Sequence, residues 1–199
     1  MKRIVDKLWS PCGKLLLIQV ILAFLFLVAS VGDKPACAGA WKERAGSATD
    51  GGVSNNTNPS MFSSLTLDSN NNPHVAWMDS SDGDWEIYYT YWDGNSWETF
   101  GGANTGGGVS NNAGNSESPS LILDSNNNPH IAWYDNTGGD WDIYYAYWDG
   151  DSWETYGGAN TGGGVSNNAG ISERPFLTLD SLGNPHIAWG DSLGIYYAY

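Results

Sequence analysis

The sequence predicts an all-β fold, a β-propeller of about three four-stranded antiparallel blades, and three observations support this. One unit occurs three times in strict register with a period of 56 residues, as Trp77, Trp133 and Trp189 show. Each copy consists of short runs rich in aromatic and β-branched residues, separated by Gly, Asn and Pro turns. No stretch after residue 40 has the apolar period of a helix. Repeats of roughly 40 to 60 residues made of short strands are typical of propellers.

Residues 1–40 are expected to form a secretory signal peptide that precedes the fold. Basic residues are followed by an apolar run over 15–31, and Ala36-Cys37-Ala38 offers the small residues that a signal peptidase prefers. An uncleaved membrane anchor is the alternative, although the run is shorter than the roughly 20 residues that a span needs. We therefore expect a secreted or cell-surface protein whose folded domain covers 41–199.

The domain from residue 41 onward is strongly acidic. It contains three Lys or Arg against 20 Asp or Glu, a formal net charge of −17. Such a surface repels nucleic acid and anionic membranes, so neither is expected as a partner beyond the leader. Both cysteines, Cys12 and Cys37, lie in the leader, so packing and not disulfides is expected to hold the domain.

The second copy shows how the strands are predicted, in chain order. An apolar run is followed by Asn-Asn-Asn-Pro, which is a turn because Asn tolerates positive φ and Pro cannot donate to a ladder. A second apolar run, a Gly-Asp turn and a long aromatic strand come next, and Asp149-Gly150 is a hairpin signal. The predicted strands are 120–124, 130–134, 141–148 and 152–156, and a Gly/Asn-rich linker over 157–170 leads to the next copy.

The repeats extend approximately over 53–108, 109–164 and 165–199. Residues 41–44 match the fourth strand of a preceding copy, and the third copy lacks this strand, so the N-terminal segment is expected to supply it. Natural rings have about four to eight blades, so we expect a partial ring or half of a ring shared in a homo-oligomer. An incomplete sequence is the other explanation of the unequal ends, and a β-sandwich of about twelve strands is the alternative fold.

Two linked motifs resemble a known family. Pro-Ser-Leu-x-Leu-Asp, a turn and Asn-Pro-His-Ile-Ala-Trp, followed by Ile-Tyr-Tyr-Ala-Tyr-Trp-Asp-Gly-x-Ser-Trp, resemble the blade repeats of exported bacterial β-propellers, which are loosely akin to sialidase-like propellers. The resemblance covers 41–199 and implies a glycosidase, a lectin or a surface interaction module. It does not imply a sialidase site, because Arg44 and Arg174 cannot form an arginine triad. The Asp-Gly-Asn-Ser-Trp at 93–97 also departs from the Asp-box Ser-x-Asp-x-Gly-x-Thr-Trp.

Clustered carboxylates are the candidates for catalysis. Glycoside hydrolysis needs two carboxyl groups about 5 to 10 Å apart. Acidic residues cluster at 79–84 and again at 135–140, but they recur in register, whereas a catalytic pair is normally unique. The repetition favours a structural or binding role, so an enzyme is not the expected class, and a glycoside hydrolase-like fragment is the weakest alternative.

Two metal-site hypotheses compete with simpler explanations. Oxygen donors alternate as in calcium loops at four positions, Asp68, Asn70, Asp124 and Asn126, but the glycine and distal glutamate of an EF-hand are absent. An Asx-type turn explains the pattern and is preferred, so no cofactor is expected, with calcium as the alternative. One histidine per copy starts the second strand, and packing is preferred to metal binding for all three, His74, His130 and His186.

Aromatic residues beside acidic turns are the candidate ligand site. An exposed ring provides an apolar platform for the C–H face of a sugar, and a carboxylate accepts hydrogen bonds from its hydroxyls. The candidates are Trp85 and Trp141 with Asp84 and Asp140, and two tryptophans that precede Asp-Gly turns, Trp92 and Trp148. Core packing between blades is the competing role for each tryptophan.

The predicted function is multivalent carbohydrate recognition, in which weak sites on successive blades add their affinities. A structural or protein-interaction propeller that binds surface proteins is the alternative from a different class. Exposed Trp85 and Trp141 favour glycan binding, whereas buried rings favour the scaffold.

Overall fold

A computed structural model describes residues 41–199, and its compact unit is Arg44–Tyr199. The expected signal peptide, 1–40, lies outside the described residues. All regular elements in the described part of the chain are β-strands, which confirms the all-β prediction. Between residues 41 and 199 there is no helix of the length and apolarity that crossing a membrane takes.

The strands form three antiparallel sheets, in each of which the spatial order follows the chain order. The first sheet contains β1 (Ser60–Leu67), β2 (Pro73–Asp79), β3 (Glu86–Trp92) and β4 (Trp97–Glu98). The second contains β5 (Ser116–Leu123), β6 (Pro129–Asp135), β7 (Asp142–Trp148) and β8 (Trp153–Glu154). The third contains β9 (Glu173–Leu179), β10 (Pro185–Asp191) and β11 (Gly194–Ala198). Each sheet therefore corresponds to one sequence repeat.

One aspartate holds the turn between the first two strands of each sheet. In the second sheet, Asp124 Oδ1 accepts hydrogen bonds from the backbone N–H groups of Asn126 and Asn128, each at 2.8 Å. Asn127 has a φ of 66°, a left-handed value that Asn tolerates better than most residues. The turns predicted from composition at these positions agree with the structure.

The fourth strands are shorter than the sequence predicts. Instead of 152–156, β8 has two residues, because the two glycines after Tyr156 turn the backbone with φ values of 58° and 77°. The linker that follows still runs beside β7, where Val165 N–H donates to Ile143 O at 2.6 Å. Each linker is therefore hydrogen-bonded to the sheet that precedes it.

Residues 41–44, expected to form a strand, do not form one. Arg44 nevertheless keeps a contact of its counterpart in the next repeat, Phe100. Trp153 Nε1 donates to Phe100 O at 3.2 Å. Trp97 Nε1 donates to Arg44 O at the same distance. The N-terminal segment thus preserves one contact of a preceding repeat without its strand.

Large apolar side chains are buried mainly between successive sheets. We call the face of a sheet that is turned towards the preceding repeat its leading face, and the opposite face its trailing face. On the second sheet, Leu121 and Trp133 lie on the leading face and pack with Ile87 of the first sheet. Ile143 and Tyr145 lie on the trailing face and pack with the third sheet. Full burial of such a side chain contributes about 1.5–3 kcal/mol.

Candidate functional site

A cleft of about 550 Å³ opens between the second and third sheets. The turns that follow β5 and β9 form its two rims, from residues 124–126 with Asn128 and from residues 180–183. Tyr147, Trp148 and Tyr156 supply aromatic lining. The cleft therefore combines polar turn residues with apolar rings, as small-molecule sites commonly do.

A side-chain bridge that spans the gap between the first two sheets is missing from this cleft. Between the first and second sheets, Asn127 reaches across to Ser69: Ser69 N–H donates to Asn127 Oδ1 at 3.1 Å, and Asn127 Nδ2 donates to Ser69 Oγ at 3.2 Å. The counterpart of Asn127 in the third repeat is Gly183, which has no side chain to make this bridge. The corresponding gap to Ser125 therefore stays open.

A column of stacked rings leads into the cleft. His130 stacks on Tyr147 with ring centroids 5.4 Å apart, and Tyr147 stacks on Tyr156 at 4.8 Å. In the preceding repeat, the counterpart of Tyr156 is Phe100, which also stacks on Trp148 at 5.2 Å. The position that corresponds to Trp148 in the third repeat would follow Tyr199. Within the described residues no ring of the third sheet stacks on Tyr156, which is 49% exposed and lines the cleft.

Three carboxylates make the cleft negative, Asp124, Asp149 and Asp180. Hydrogen bonds from the side chain and backbone of Asn184 lower the pKa of Asp180 to about 2. The backbone N–H groups of Ser152 and Asp151 lower the pKa of Asp149. Carboxylates with lowered pKa values accept hydrogen bonds at neutral pH but do not act as general acids. Asp149 and Asp180 are therefore available as hydrogen-bond acceptors at neutral pH.

The predicted ligand residues lie in two separate places. Trp148 lines the cleft but is 9% exposed, and its counterpart Trp92 is 6% exposed. Trp85 and Trp141 are half-buried at the opposite ends of the third strands, where the Trp141 ring lies 5.0 Å from that of Tyr134. The carboxylates beside these outer tryptophans are exposed, Asp84 and Asp140. The structure therefore does not bring the six predicted residues into one site.

The calcium candidates form hydrogen-bonded turns. Asp68 Oδ1 accepts from the N–H groups of Asn70 and Asn72, and its Oδ2 accepts from Asn72 Nδ2. Asp124 makes the same three bonds in the second repeat, with Asn126 and Asn128. Within residues 41–199 there is no group of three or more His, Cys, Asp or Glu placed to hold a metal ion. The Asx-type turn accounts for all the observed contacts of these aspartates.

The three histidines each contact a tyrosine hydroxyl through Nδ1. His74 pairs with Tyr89 at 2.6 Å, and His130 pairs with Tyr145 at 2.7 Å. His186 makes the same pairing with Tyr197. Burial lowers the pKa of both His74 and His130. These contacts agree with the packing role predicted for the histidines.

Two buried carboxyl groups meet between the first and second sheets, Glu86 and Asp135, which are 2% and 0% exposed. Ser116 Oγ donates to Asp135 Oδ2 at 2.6 Å and lies 3.4 Å from Glu86 Oε2. Burial raises the pKa of Glu86 to about 7; hydrogen bonds from Ser110 and Asn112 oppose this rise, and the charge of Asp135 adds to it. Neither carboxyl group lines the cleft. Asn112 also contacts both carboxyl groups, through its backbone N–H to Glu86 and its side-chain amide to Asp135.

Sequence reasoning missed two residues that shape the cleft, Tyr156 and Gly183. Both are departures from the repeat, since Tyr156 replaces Phe100 and Gly183 replaces Asn127. Comparing the copies for differences, and not only for shared residues, would have identified them.

No family model and no curated protein matches this chain. A proposed glycosidase of Bacteroides thetaiotaomicron superposes with a TM-score of 0.45 and 14% identity, over 71% of this chain and 48% of its own. A fucose lectin from Kordia zhangzhouensis, solved with methyl-fucoside, superposes with a TM-score of 0.40 and 21% identity, over 68% of this chain and 96% of the lectin. An endo-arabinase of B. thetaiotaomicron superposes with a TM-score of 0.39 and 13% identity, over 70% of this chain and 55% of the arabinase. The chain spans about half the length of the two Bacteroides proteins.

Proposed function

We propose that this chain is a carbohydrate-binding protein that holds a sugar in the cleft between the second and third sheets. The accessible ring of Tyr156 beside the carboxylates of the cleft is the observation that carries the proposal. A pyranose presents one apolar C–H face and a rim of hydroxyls. The phenol ring can stack on the C–H face, and ionised carboxylates are strong acceptors for hydrogen bonds from the hydroxyls.

The charge of the cleft favours neutral sugars. Asp149 and Asp180 have lowered pKa values and stay ionised at neutral pH. Of the three cationic side chains in the domain, Lys42, Arg44 and Arg174, none lines the cleft. A sugar acid would therefore meet repulsion without a compensating cation. Neutral hexoses or deoxyhexoses are the proposed ligand class.

The outer tryptophans remain a second proposed location for the same ligand class. Trp85 and Trp141 are half-buried, so each offers only part of its ring beside an exposed carboxylate. Two such places and the cleft would give multivalent binding, in which weak sites add by avidity. Export to the cell surface or medium, proposed from the pattern of residues 1–40, would bring these sites to extracellular glycans.

The test is a screen of neutral glycans with the purified chain, followed by calorimetric titration of the best ligand. Tyr156→Ala is expected to weaken binding tenfold or more, about 1.4 kcal/mol, while Tyr156→Phe keeps the ring and most of the affinity. Trp141→Ala is the matched control at the outer location. Binding that survives Tyr156→Ala but is lost with Trp141→Ala would move the site to the outer turn. A chain that binds no glycan, but captures a surface protein, would favour the interaction scaffold.

A further inference from the structure

Repeat positions that are buried between sheets are exposed on the two outermost faces. Leu65 on the leading face of the first sheet is 64% exposed, whereas its counterpart Leu121 is 7% exposed. Ile195 on the trailing face of the third sheet is 82% exposed, whereas its counterparts Ile87 and Ile143 are 0% exposed. The two outer faces therefore present the two halves of the contact that packs the internal sheets together.

The leading face of the first sheet also has a hollow that matches the side chain exposed at the other end. The hollow measures about 400 Å³ and is lined in part by Val53, Val75 and Trp77. Their counterparts one repeat later, Val109, Ile131 and Trp133, pack in one cluster with Ile87. The side chain that corresponds to Ile87 in the third sheet is Ile195. Ile195 of a second copy therefore has the chemistry and the register to fill this hollow.

The segment 44–59 has the conformation of a docked linker, although no sheet precedes it in the described residues. Its counterpart, 100–115, runs along the first sheet, where Val109 N–H donates to Ile87 O at 2.6 Å. Both segments have the same internal backbone bonds: Thr49 N–H to Gly46 O, as in Thr105 to Gly102, and Asn55 N–H to Gly51 O, as in Asn111 to Gly107. The left-handed residue also matches, with φ values of 45° and 39° at Asn55 and Asn111. The segment is thus pre-shaped for a strand edge that its own described chain does not supply.

That edge exists on the third sheet. β11 is an edge strand, paired on one side with β10. In the internal repeats the equivalent edge is covered by the linker, through Val109 to Ile87 and Val165 to Ile143. Exposed edge strands with apolar side chains favour pairing with another chain.

We propose that two copies of this chain join head to tail, with segment 44–59 and the leading face of one copy docked on β11 and the trailing face of the other. The contact is heterologous, and making it twice closes a ring of two copies with six sheets, within the range of natural propellers. At this junction Val53 N–H donates to Ile195 O of the partner copy, and Leu65 becomes buried. Asn71 takes the bridging position of Asn127, opposite Ser181, and so closes the gap there.

The test starts with the molar mass of the purified chain, produced with its leader in a secreting host, by light scattering at physiological salt. The salt matters because two strongly acidic copies repel each other at low ionic strength. The expected mass is twice that of the processed chain measured by mass spectrometry. Ile195→Asp and Leu65→Asp change side chains that are exposed in the single copy, so both variants should fold. Each is expected to weaken association about 100-fold or more and to give monomers.

A mixing experiment identifies the head-to-tail geometry. Ile195→Asp leaves the leading face intact, and Leu65→Asp leaves the trailing face intact. In an equimolar mixture these two intact faces can form one unaltered junction, so a 1:1 dimer is expected. Leu193→Asp is the matched control, because Leu193 is 88% exposed and lies in the turn after β10. A monomeric parent chain, an unaffected mass in either single variant, a mixture that stays monomeric, or a control that dissociates equally would each overturn the proposal.

Discussion

Replacing Gly183 by Asn is expected to close the cleft and stabilise the protein at the same time. Gly183 has a φ of 87°, and a Cβ added there meets no atom within 4 Å. Asn71 and Asn127 occupy the corresponding positions with φ values of 63° and 66°, so Asn fits the turn. The new amide would reach Ser125 as Asn127 reaches Ser69.

The size of the effect follows from the bridge already present. Two net hydrogen bonds contribute about 0.5–1.5 kcal/mol each when buried, and less in a solvated turn. Replacing a glycine also stabilises the fold by about 0.4–1 kcal/mol, because the unfolded chain loses conformational freedom. The left-handed φ at this position offsets part of that gain. We expect Gly183→Asn to raise the free energy of unfolding by about 1 kcal/mol, a Tm increase of about 2–4 °C for a domain of this size. Sugar affinity should fall tenfold or more, because the amide occupies the cleft mouth.

Calorimetry measures both quantities, Tm by scanning and affinity by titration. Asn127→Gly is the matched reverse variant: it removes the existing bridge and should lower stability by about 1 kcal/mol. It should not create a new site of equal affinity, because Trp148 covers the ring of Phe100. Unchanged sugar affinity in Gly183→Asn would refute the assignment of the cleft. A loss of stability would refute the bridge as the reason why the first gap is closed.

Three further predictions concern the core. Glu86 has a folded pKa of about 7 against 4.5 for the free group, so the stability that its proton provides is present below pH 4.5 and is lost as pH rises through 7. In urea unfolding at pH 8, Glu86→Gln should therefore have a free energy of unfolding up to about 3 kcal/mol above that of the parent, and at pH 4 the two should differ little. The control is surface Glu98→Gln, whose free energy of unfolding should change with pH as that of the parent does. Ile131→Ala, at a fully buried position, should lower the free energy of unfolding by about 2–5 kcal/mol; a loss below 1 kcal/mol would contradict tight packing there. Tyr145→Phe should cost about 1–3 kcal/mol by denaturant titration, because it leaves buried His130 Nδ1 without its partner, and an unchanged midpoint would exclude this contact as a stabilising one.

The sequence was informative wherever a single repeat determines the local structure. Turn composition located the hairpins within each repeat. The fourth strand was predicted too long, because the effect of Gly157 on the ladder depends on its φ of 58°. The structure also separates the predicted ligand residues, since Trp85 precedes β3 and Trp92 is its last residue. Which face each ring exposes depends on the neighbouring sheet, and the properties of one repeat do not specify that.

Because each linker is hydrogen-bonded to the sheet before it and leads into the sheet after it, loss of order is expected to be graded along the chain. Within residues 41–199 the second sheet has a partner on both faces, whereas the third has a partner on one face and only β10 beside β11. In arrays of this kind, cooperativity is set by nearest-neighbour contacts, so the less-contacted end opens first. Amide hydrogens of β11 should therefore exchange through local opening, and those of β6 only through global unfolding. A bound neighbour at the outer face would remove this gradient, so that exchange protection of β11 reports directly on its occupancy.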